Sequence, residues 1–507
     1  AMYLPAAAAD QQITLRPCPA ATYYRSARPQ PARPPEATTL DQVLGSLDLI
    51  AELERLAVTT DPDRHGPLWR RIEELTDRIG DHLQEHPADQ PAVVRALDRT
   101  PIFHLPYRRM NRGLARGLVI AYAFPPYADT SGTVMAKRIR ERGRVADVVY
   151  NTMDRIRKQD PTIRRISGPY TCDEAAIATP THFSHWPSME KFTLAGMRQI
   201  REWTTANGPY PWLYSRAHFA ASHILAAAYK LSHPETAWTA EFSDPLSRGR
   251  MDEEVGTPVA DGPVLAELRT GLRQLGLPEP QSTNCFVWCE EVAYALADEL
   301  IFTNENQLDY MLSYCADPGL VELVRRKAVV SPHPTLPEDF YSIVAPDYPL
   351  EPELAQLAYF GVFYATRGLD DVLRAVAGSD PSTRERVRVH VFTSKPGPLR
   401  NRVAELGIGS LVRVGGYVDY LAFLNLTTRF DCLVVNDAVT GEYHARNPYL
   451  PSKWSDYRGS GTPVWGLVEA GSPVSRQPLA FRSPVGDIEA AKQVLSRIVR
   501  AKTAAHR

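Results

Sequence analysis

A lysine and a carboxylate lie three residues apart near the C-terminal end of the chain, in the segment Pro451-Ser452-Lys453-Trp454-Ser455-Asp456. The segment is typical of a short loop that leads into a helix. Lys453 at the start of that helix suits a diphosphate, because the free backbone N–H groups and the helix dipole favour an anion there. Asp456 lies on the same helix face and can accept the hydroxyls of a ribose. The pair therefore predicts half of a nucleotide-diphosphate site.

Both residues also have an interpretation without a ligand. Lys453 is alternatively a solvated lysine, although a lysine at a helix start opposes the helix dipole and is unfavourable there unless an anion binds. Asp456 is alternatively a carboxylate on the helix surface. The rest of the chain has to provide the second half of the site.

Two successive α/β regions must position this segment. The first begins at Gly117, where an apolar run over 118–124 is followed by Pro125-Pro126 and a helical segment over 131–142. A buried strand, a loop and a helix in that order open a parallel sheet. We therefore predict an N-terminal Rossmann-like domain over 112–335. Its further strands are expected at Val145–Tyr150, Trp212–Tyr214, Trp238–Phe242 and Glu299–Thr303.

A second α/β region, over 353–480, follows a proline-rich hinge at 336–352. The predicted fold class is α/β, with two doubly wound Rossmann-like domains that face a cleft, and ligands bind such sheets at the C-terminal ends of the strands. Neither domain carries a Gly-x-Gly-x-x-Gly or a Gly-x-x-x-x-Gly-Lys loop, which disfavours nicotinamide and nucleoside-triphosphatase chemistry. Strands of the second domain are expected at Leu357–Phe363, Val387–Thr393, Val412–Val414, Cys432–Val435 and Val464–Val468.

Three outer segments complete the predicted organisation. Residues 1–38 are rich in Ala, Pro and Arg without a period, which predicts a poorly ordered arm. The apolar spacing over 39–111 predicts a helical extension. The last segment, 481–507, is expected to form a helix that packs back on the N-terminal domain.

The composition of the 507-residue chain limits its partners. Its 57 basic and 59 acidic residues give a net charge of −2, which provides no general field for nucleic acid or an anionic membrane. Cys285 and Cys289 stand at helical spacing, where buried thiols are favoured over a metal site. Because no secretory signal or bilayer-length apolar run is present, we expect a cytoplasmic protein without a transmembrane segment, with small molecules as partners.

Several motifs in a fixed order resemble those of bacterial family-four glycosyltransferases of the GT-B fold, over about 116–480. The Pro-Ser-Lys segment, with Asp456 and a Gly-x-Pro turn at 461–463, is similar to the donor-site motif of that family. The resemblance implies a transferase that uses a nucleotide-sugar donor. The other matching segments are Phe124-Pro125-Pro126, Ser131-Gly132, Tyr214–Phe219, Trp238–Pro245, Glu299–Gln307 and Tyr359–Leu369.

The resemblance assigns the donor site to five residues. Gly132 would let the backbone approach the donor phosphates, and Arg367 would meet the diphosphate together with Ser452 and Lys453. Asp456 would take the ribose. For Arg367 the alternative is an ordinary surface arginine.

The same resemblance implies the catalytic side of the cleft. His218 and Asp244 would line it, and the alternatives are a buried, hydrogen-bonded histidine and a turn cap before Pro245. His223 stands five positions after His218, so the two cannot share one face of a regular helix. Glu442 lies on a loop expected to overhang the donor sugar, and is alternatively an exposed polar residue.

One position departs from the family pattern. Many members carry a glutamate eight positions before the ribose carboxylate, and this glutamate touches the donor sugar. Here that position is Pro448. We therefore expect the sugar-recognising carboxylate to be missing or to be supplied by Glu442 or Asp437.

The expected chemistry is transfer of a sugar from a nucleotide diphosphate to an acceptor hydroxyl, with retention of anomeric configuration as the resemblance implies. Lys453, Arg367 and backbone N–H groups would stabilise the leaving diphosphate, so neither a metal nor a cofactor is required. The acceptor is left open among a glycan, a lipid-linked sugar and a small molecule. Two alternatives remain: a GT-B sugar-nucleotide epimerase or other donor-processing enzyme, and a degenerate transferase that serves as a binding or scaffold protein.

Five basic residues lie close together on the first predicted helix of the N-terminal domain and at the end of that helix. We expect a solvated helix face, and the alternative is peripheral contact with anionic lipid. The residues are Lys137, Arg138, Arg140, Arg142 and Arg144.

Overall fold

The computed structural model describes residues 38–61, 65–363 and 368–505. The predicted arm, apart from its last residue, and Arg367 lie outside the described residues.

The predicted helical extension is present. The first helix begins with a capping box, in which Thr39 and Gln42 each satisfy the other's backbone N–H. Apolar side chains at helical spacing, among them Leu47, Ile50, Leu75 and Ile79, form a separate core. The helices are α1 (Leu40–Thr59), α2 (Gly66–Glu85), α3 (Gln90–Arg99) and α4 (Tyr107–Met110).

The first domain is a seven-stranded sheet in the order β3-β2-β1-β4-β5-β6-β7, and the strand pairs are all parallel. Its strands are β1 (Gly117–Ile120), β2 (Ala146–Asn151), β3 (Thr171–Ile177), β4 (Trp212–Ala217), β5 (Ala237–Phe242), β6 (Glu299–Phe302) and β7 (Ala328–Val330). The helices that connect them are α5 (Thr130–Arg142), α6 (Arg164–Ser167), α7 (Trp186–Asn207), α8 (Ala221–Ser232), α9 (Pro263–Gln274), α10 (Cys285–Leu296), α11 (Glu305–Ser313) and α12 (Pro318–Lys327).

The second domain is a six-stranded parallel sheet in the order β10-β9-β8-β11-β12-β13. Its strands are β8 (Ala355–Phe360), β9 (Val387–Phe392), β10 (Val412–Gly415), β11 (Cys432–Asn436), β12 (Val464–Val468) and β13 (Phe481–Pro484). Its helices are α13 (Asp370–Gly378), α14 (Pro381–Arg384), α15 (Pro396–Glu405), α16 (Tyr420–Thr427), α17 (Lys453–Ser460) and α18 (Ile488–Ala505).

This topology confirms the predicted GT-B architecture of two doubly wound Rossmann-like domains. The central strands of both sheets are largely buried because helices cover both faces of a parallel sheet, and β1 and β12 are continuous apolar runs. In each sheet the strand order reverses once, between β1 and β4 in the first domain and between β8 and β11 in the second. Ligands bind open α/β sheets at these switch points.

The proline-rich segment between β7 and β8 packs against both domains. It contains a short 3₁₀ helix over Glu338–Tyr341. Phe340 from that helix joins Ile166 of the first domain and Leu421 of the second in one buried apolar cluster. The segment therefore forms part of the interdomain contact as well as a connection between the domains.

The last helix differs from the expectation. We expected residues 481–507 to pack back on the N-terminal domain, but 481–484 form β13 and α18 packs on the second domain. The reason is its apolar face, since Leu495 and Ile498 are buried in the core of that domain.

The basic residues on α5 and its end do not form a solvated face. Lys137 and Arg138 are buried, and Arg140 pairs with the buried Asp98 of the helical extension. Arg142 and Arg144 lie over the aromatic rings of Tyr214 and Trp212. This arrangement removes the basis for lipid attachment at α5. In the part of the chain that the structure describes, no helix combines the length and hydropathy needed to span a bilayer.

Candidate functional site

A cavity of about 430 Å³ lies between the two domains. The first domain contributes Ser131 from the start of α5, together with His218 and Asp244, which follow β4 and β5. The second domain contributes Gly361 after β8 and the start of α17. The cavity therefore lies at the switch points of both sheets, where open α/β folds bind ligands.

Lys453 is held at the second-domain wall of the cavity. Its Nζ lies 3.9 Å from the centre of the Tyr359 ring, a cation–π contact. A Cβ at residue 361 would collide with the same ammonium, and Gly361 has a φ of +146°, which favours glycine. The glycine after β8 therefore leaves the space that the lysine head group occupies.

Asp456 lines the cavity one helical turn after Lys453. Its Oδ1 accepts hydrogen bonds from Lys137 Nζ at 2.8 Å and from the Tyr420 hydroxyl at 2.6 Å. Within the described ranges, Oδ2 accepts none. One oxygen of this carboxylate is thus fixed by the protein, and the other is available to a ligand.

Ser452 lines the cavity at the N-cap position of α17. Its backbone carbonyl accepts hydrogen bonds from the Ser455 amide at 3.1 Å and from the Ser455 hydroxyl at 2.8 Å. The structure therefore brings three sequence-predicted residues, Ser452, Lys453 and Asp456, to one wall. Arg367 lies outside the described residues.

Gly132 allows α5 to pack closely against the loop after β1. A Cβ there would lie 3.1 Å from the Phe124 amide nitrogen, and the residue does not line the cavity. Asp129 caps this helix through hydrogen bonds from the Ser131 and Gly132 amides to its Oδ1, at 2.8 and 3.3 Å. The carboxylate of Asp129 therefore already neutralises this helix start, and an anionic ligand is not needed to stabilise it.

His218 and Asp244 stand on the first-domain wall. Burial lowers the pKa of the His218 imidazole, and the nearby Asp244 carboxylate opposes that shift. The imidazole is therefore neutral at physiological pH and can accept a proton or a hydrogen bond.

His223 belongs to the core. It is fully buried on α8, and its Nδ1 lies 2.9 Å from the Ser215 hydroxyl. Burial lowers the pKa of His223 to about 3, so the ring stays neutral. Of the two histidines in this segment, His218 is the one that reaches the cavity.

Neither candidate for the missing sugar carboxylate lines the cavity. Glu442 is exposed on the loop after β11. Asp437 is buried, where its Oδ2 accepts hydrogen bonds from the Glu469 amide at 2.9 Å and from the Ser472 hydroxyl at 2.6 Å. Pro448 directs its carbonyl toward the first domain and accepts a hydrogen bond from Asn304 Nδ2 at 2.9 Å. The positions of Glu442 and Asp437 therefore do not support a role for either carboxylate in sugar recognition.

Sequence reasoning missed a buried ionic network beneath the first-domain wall. Glu241, at the end of β5, pairs with Arg138 at 2.8 Å and Arg216 at 3.1 Å and accepts the Tyr214 hydroxyl at 2.7 Å. Burial alone would raise the pKa of Glu241, but the two guanidinium groups hold it at about 2. The carboxylate therefore stays ionised, and the sequence signal for it is a glutamate inside an otherwise apolar strand.

Arg216 connects this network to the cavity. Its Nη1 donates to the Ser131 hydroxyl at 2.7 Å, and its Nη2 lies 3.3 Å from His333 Nε2. His333 lines the cavity, and its Nδ1 has no hydrogen-bond partner in the described part of the chain.

The charges on the cavity wall favour an anion. Its lining includes five lysine or arginine side chains against three carboxylates. Three of the cations already pair with carboxylates, since Lys137 contacts Asp456, Arg157 contacts Asp129 and Arg216 contacts Glu241. The basic residues are Lys137, Arg157, Arg216, Arg250 and Lys453, and the acidic residues are Asp129, Asp244 and Asp456.

One cluster of metal-ligand types occurs among the described residues, far from this cavity. Asp147, Cys172 and Asp173 gather at the N-terminal ends of β2 and β3, whereas the cavity lies at the C-terminal ends of the strands. Arg116 Nη1 lies between the two carboxylates, at 2.9 Å from Asp147 and 3.1 Å from Asp173. The cluster is therefore an ion pair that ties β2 and β3 to the residue before β1.

Comparisons with known proteins show likeness in structure only. No protein-family model matches the chain, and the search of curated proteins finds no match. A sucrose-phosphate synthase from Thermosynechococcus elongatus is similar at 13% identity and a TM-score of 0.46, over 77% of this chain and 90% of that one. The N-terminal domain of a Candida albicans trehalose-6-phosphate phosphatase is 11% identical with a TM-score of 0.49, over 77% and 91% of the two chains. The lipopolysaccharide outer core galactosyltransferase WaaB is 10% identical with a TM-score of 0.45, over 76% and 91%. At these identities and TM-scores the likeness does not indicate an activity for this chain.

Proposed function

We propose that this protein is a glycosyltransferase that moves a sugar from a nucleotide-diphosphate donor to an acceptor hydroxyl, with retention of anomeric configuration. The observation that carries the proposal is the interdomain cavity, in which Lys453 and the open oxygen of Asp456 lie on one helix and on one wall. This arrangement matches a donor with two anionic phosphates and, one helical turn away, a sugar hydroxyl to recognise.

The second domain holds the donor. Its diphosphate lies against Lys453 and the start of α17, where the ammonium and the positive end of the helix dipole favour an anion. A ribose hydroxyl donates to Asp456 Oδ2. The family resemblance implies a further contact from Arg367 to the diphosphate.

The reaction breaks the bond between the anomeric carbon and the diphosphate oxygen and forms a bond from that carbon to the acceptor oxygen. Negative charge develops on the leaving diphosphate, and Lys453 stabilises it more strongly in a cavity shielded from water. The acceptor proton passes to a phosphate oxygen of the leaving group on the same face of the sugar, a route that gives retention. This chemistry needs neither a metal nor a cofactor from the protein.

The first domain holds the acceptor. His218 and Asp244 lie at the C-terminal ends of neighbouring strands and face the same cavity. The neutral imidazole of His218 accepts a hydrogen bond from a neighbouring hydroxyl of the acceptor and thereby orients the attacking hydroxyl, which keeps its own proton for the phosphate, toward the anomeric carbon. No step is proposed for Glu442, because it is exposed and does not line the cavity.

The test is a panel of nucleotide-diphosphate sugars, with thermal stabilisation and release of free nucleotide as the two readouts. We expect one donor to stabilise the protein and to be slowly hydrolysed, and both effects to be lost in Lys453→Met. The control is Lys191→Met, which removes an exposed lysine of α7. Turnover of the donor to an isomeric sugar nucleotide would indicate an epimerase instead. Failure of all donors to bind would contradict the proposal and favour a scaffold protein.

A further inference from the structure

A buried lysine of the first domain reaches the candidate ribose carboxylate of the second. Lys137 Nζ donates to Asp456 Oδ1 at 2.8 Å and to the Ser455 hydroxyl at 2.7 Å. We propose that Lys137 is a positioning residue that presents Asp456 Oδ2 to the donor ribose and does so only when the two domains are closed. This inference rests on the proposed function.

The hydrogen bonding of the buried Lys137 ammonium depends on the second domain. The residue lies on α5 and is 2% exposed. Its ammonium has its hydrogen-bond partners, Ser455 and Asp456, on α17. A buried ammonium without such partners is strongly unfavourable. If the domains separated, Lys137 would lose both partners and would have to turn toward water.

Tyr420 fixes the same carboxylate oxygen from within the second domain. Its hydroxyl donates to Asp456 Oδ1 at 2.6 Å. Burial, followed by the charge of Asp456, raises the pKa of the Tyr420 phenol, so the hydroxyl remains a donor. The Asp456 backbone is held as well, because its carbonyl accepts from the Tyr341 hydroxyl at 2.7 Å. Two donors on Oδ1 therefore leave the carboxylate one orientation.

This orientation determines which carboxylate oxygen of Asp456 the donor contacts. With Oδ1 occupied, Oδ2 is the oxygen that remains for a ribose hydroxyl at the cavity wall. A hydrogen bond to a charged acceptor is stronger than one between neutral groups, and a fixed carboxylate gives it without reorganisation. Recognition of the ribose thus depends on a residue of the other domain, which couples donor binding to closure.

A second ion pair across the domains supplies a matched control. Lys158 Nζ lies 3.1 Å from Asp419 Oδ1, and the two side chains are 69% and 51% exposed. Exposed pairs of this kind contribute little to stability. Lys158→Met therefore breaks an interdomain lysine–carboxylate pair without touching Asp456.

The experiment measures ribose discrimination directly. Dissociation constants of adenosine, cytidine, guanosine, uridine and thymidine diphosphates, and of the forms that lack the 2′ and 3′ hydroxyls, are determined by calorimetry for the full chain. For whichever base binds, we expect the wild-type protein to favour the ribose form about tenfold or more, as for a hydrogen bond to a charged group. In Lys137→Met we expect that ratio to fall toward one, mainly through weaker binding of the ribose form. Lys137→Arg should restore part of the ratio, and Lys158→Met should leave it unchanged.

A change in the ratio separates positioning from a general structural effect, since a loosened cavity would weaken both nucleotide forms alike. If Lys137→Met does not fold, Tyr420→Phe gives the same readout, with an expected fall in the ratio of several-fold. An undiminished ratio in both variants would overturn the inference while leaving the proposed function intact. If none of the five diphosphates binds to the wild-type protein, the proposed function and this inference are both overturned.

Discussion

Arg216 and Glu241 form a buried ion pair beneath the first-domain wall of the cavity, with 3.1 Å between Arg216 Nε and Glu241 Oε1. The pair joins neighbouring strands, because Arg216 lies directly opposite Glu241 in the register of β4 and β5. Arg138 adds a second cation from α5. The carboxylate therefore ties three elements of the first domain together at the point where the cavity begins.

The first prediction concerns the stability of this network. Glu241→Gln removes the charge between two buried guanidinium groups, and breaking a buried pair of this kind costs about 3–5 kcal/mol. We expect the free energy of unfolding of the first domain, measured with urea, to fall by that amount. The matched control is Glu141→Gln, because Glu141 also pairs with Arg138 but is 51% exposed, and its loss should cost less than about 1 kcal/mol. Equal effects of the two substitutions would contradict the assignment.

The second prediction is the pH dependence of that stability. The folded pKa of Glu241, about 2, is lower than its ordinary value of 4.5. A carboxylate whose pKa is depressed by folding contributes stability that is fully present above the unfolded pKa and is lost as pH falls through the folded one. We therefore expect the free energy of unfolding to decline between about pH 4.5 and pH 2, and to decline less steeply in Glu241→Gln. Parallel pH profiles of the two proteins would exclude Glu241 as the source of this decline.

The sequence is sufficient to predict the central strands and the edge strand β10, but not the other three edge strands. Strands such as β1 and β12 are covered by helices on both faces and are therefore continuous apolar runs. The strands that sequence reasoning missed, β3, β7 and β13, lie at or toward the sheet edges. They are short or carry polar residues, as in Thr171-Cys172-Asp173-Glu174 of β3, because one side of an edge strand meets solvent or polar partners.

The residues of the candidate site also fall into two groups. Some belong to one short sequence pattern, and others meet only across a long stretch of the chain. The joint position of Lys453 and Asp456 on one wall of the cavity was predictable, because both residues stand in one short segment around a helix start. Lys137 was not, since it meets Asp456 across 319 positions of the chain and stands in a run of basic residues that resembles a solvated face. Glu442 is a different case. The sequence predicted a loop at this position, but it did not indicate the direction in which the loop points.

The third prediction concerns the glycine that makes room for Lys453. Gly361→Ala places a Cβ against the Lys453 ammonium and strains a residue whose φ is +146°. We expect a nucleotide diphosphate to bind about tenfold more weakly, with a loss of about 1–2 kcal/mol in the free energy of unfolding. The control is Gly416→Ala, because a Cβ there meets open space in the same domain. Unchanged affinity in Gly361→Ala would show that the ammonium does not contact the ligand from this position.

The fourth prediction separates acceptor chemistry from donor binding at His218. His218→Phe removes the hydrogen-bond acceptor while keeping an aromatic ring among Phe183 and Phe219, so the core around it is preserved. We expect the transfer rate to fall about 10- to 100-fold while the affinity for the donor stays the same. The reason is that the imidazole belongs to the first-domain wall, whereas the donor binds to the second domain. His86→Gln, a change at an exposed histidine of the helical extension, should alter neither quantity.

The pH profile of that rate tests the protonation state that the role of His218 requires. Burial lowers the pKa of His218 below its ordinary value of 6.5, so the imidazole remains an acceptor through the range in which an exposed histidine would become charged. Initial rates of transfer should therefore be level from pH 8 down to about pH 6.5 and should fall only at more acidic pH, as protonation removes the acceptor lone pair. The acidic limb should disappear in His218→Phe, which has no group to protonate. A limb of the same shape in both proteins would assign the titration to another group and remove His218 from the acceptor site.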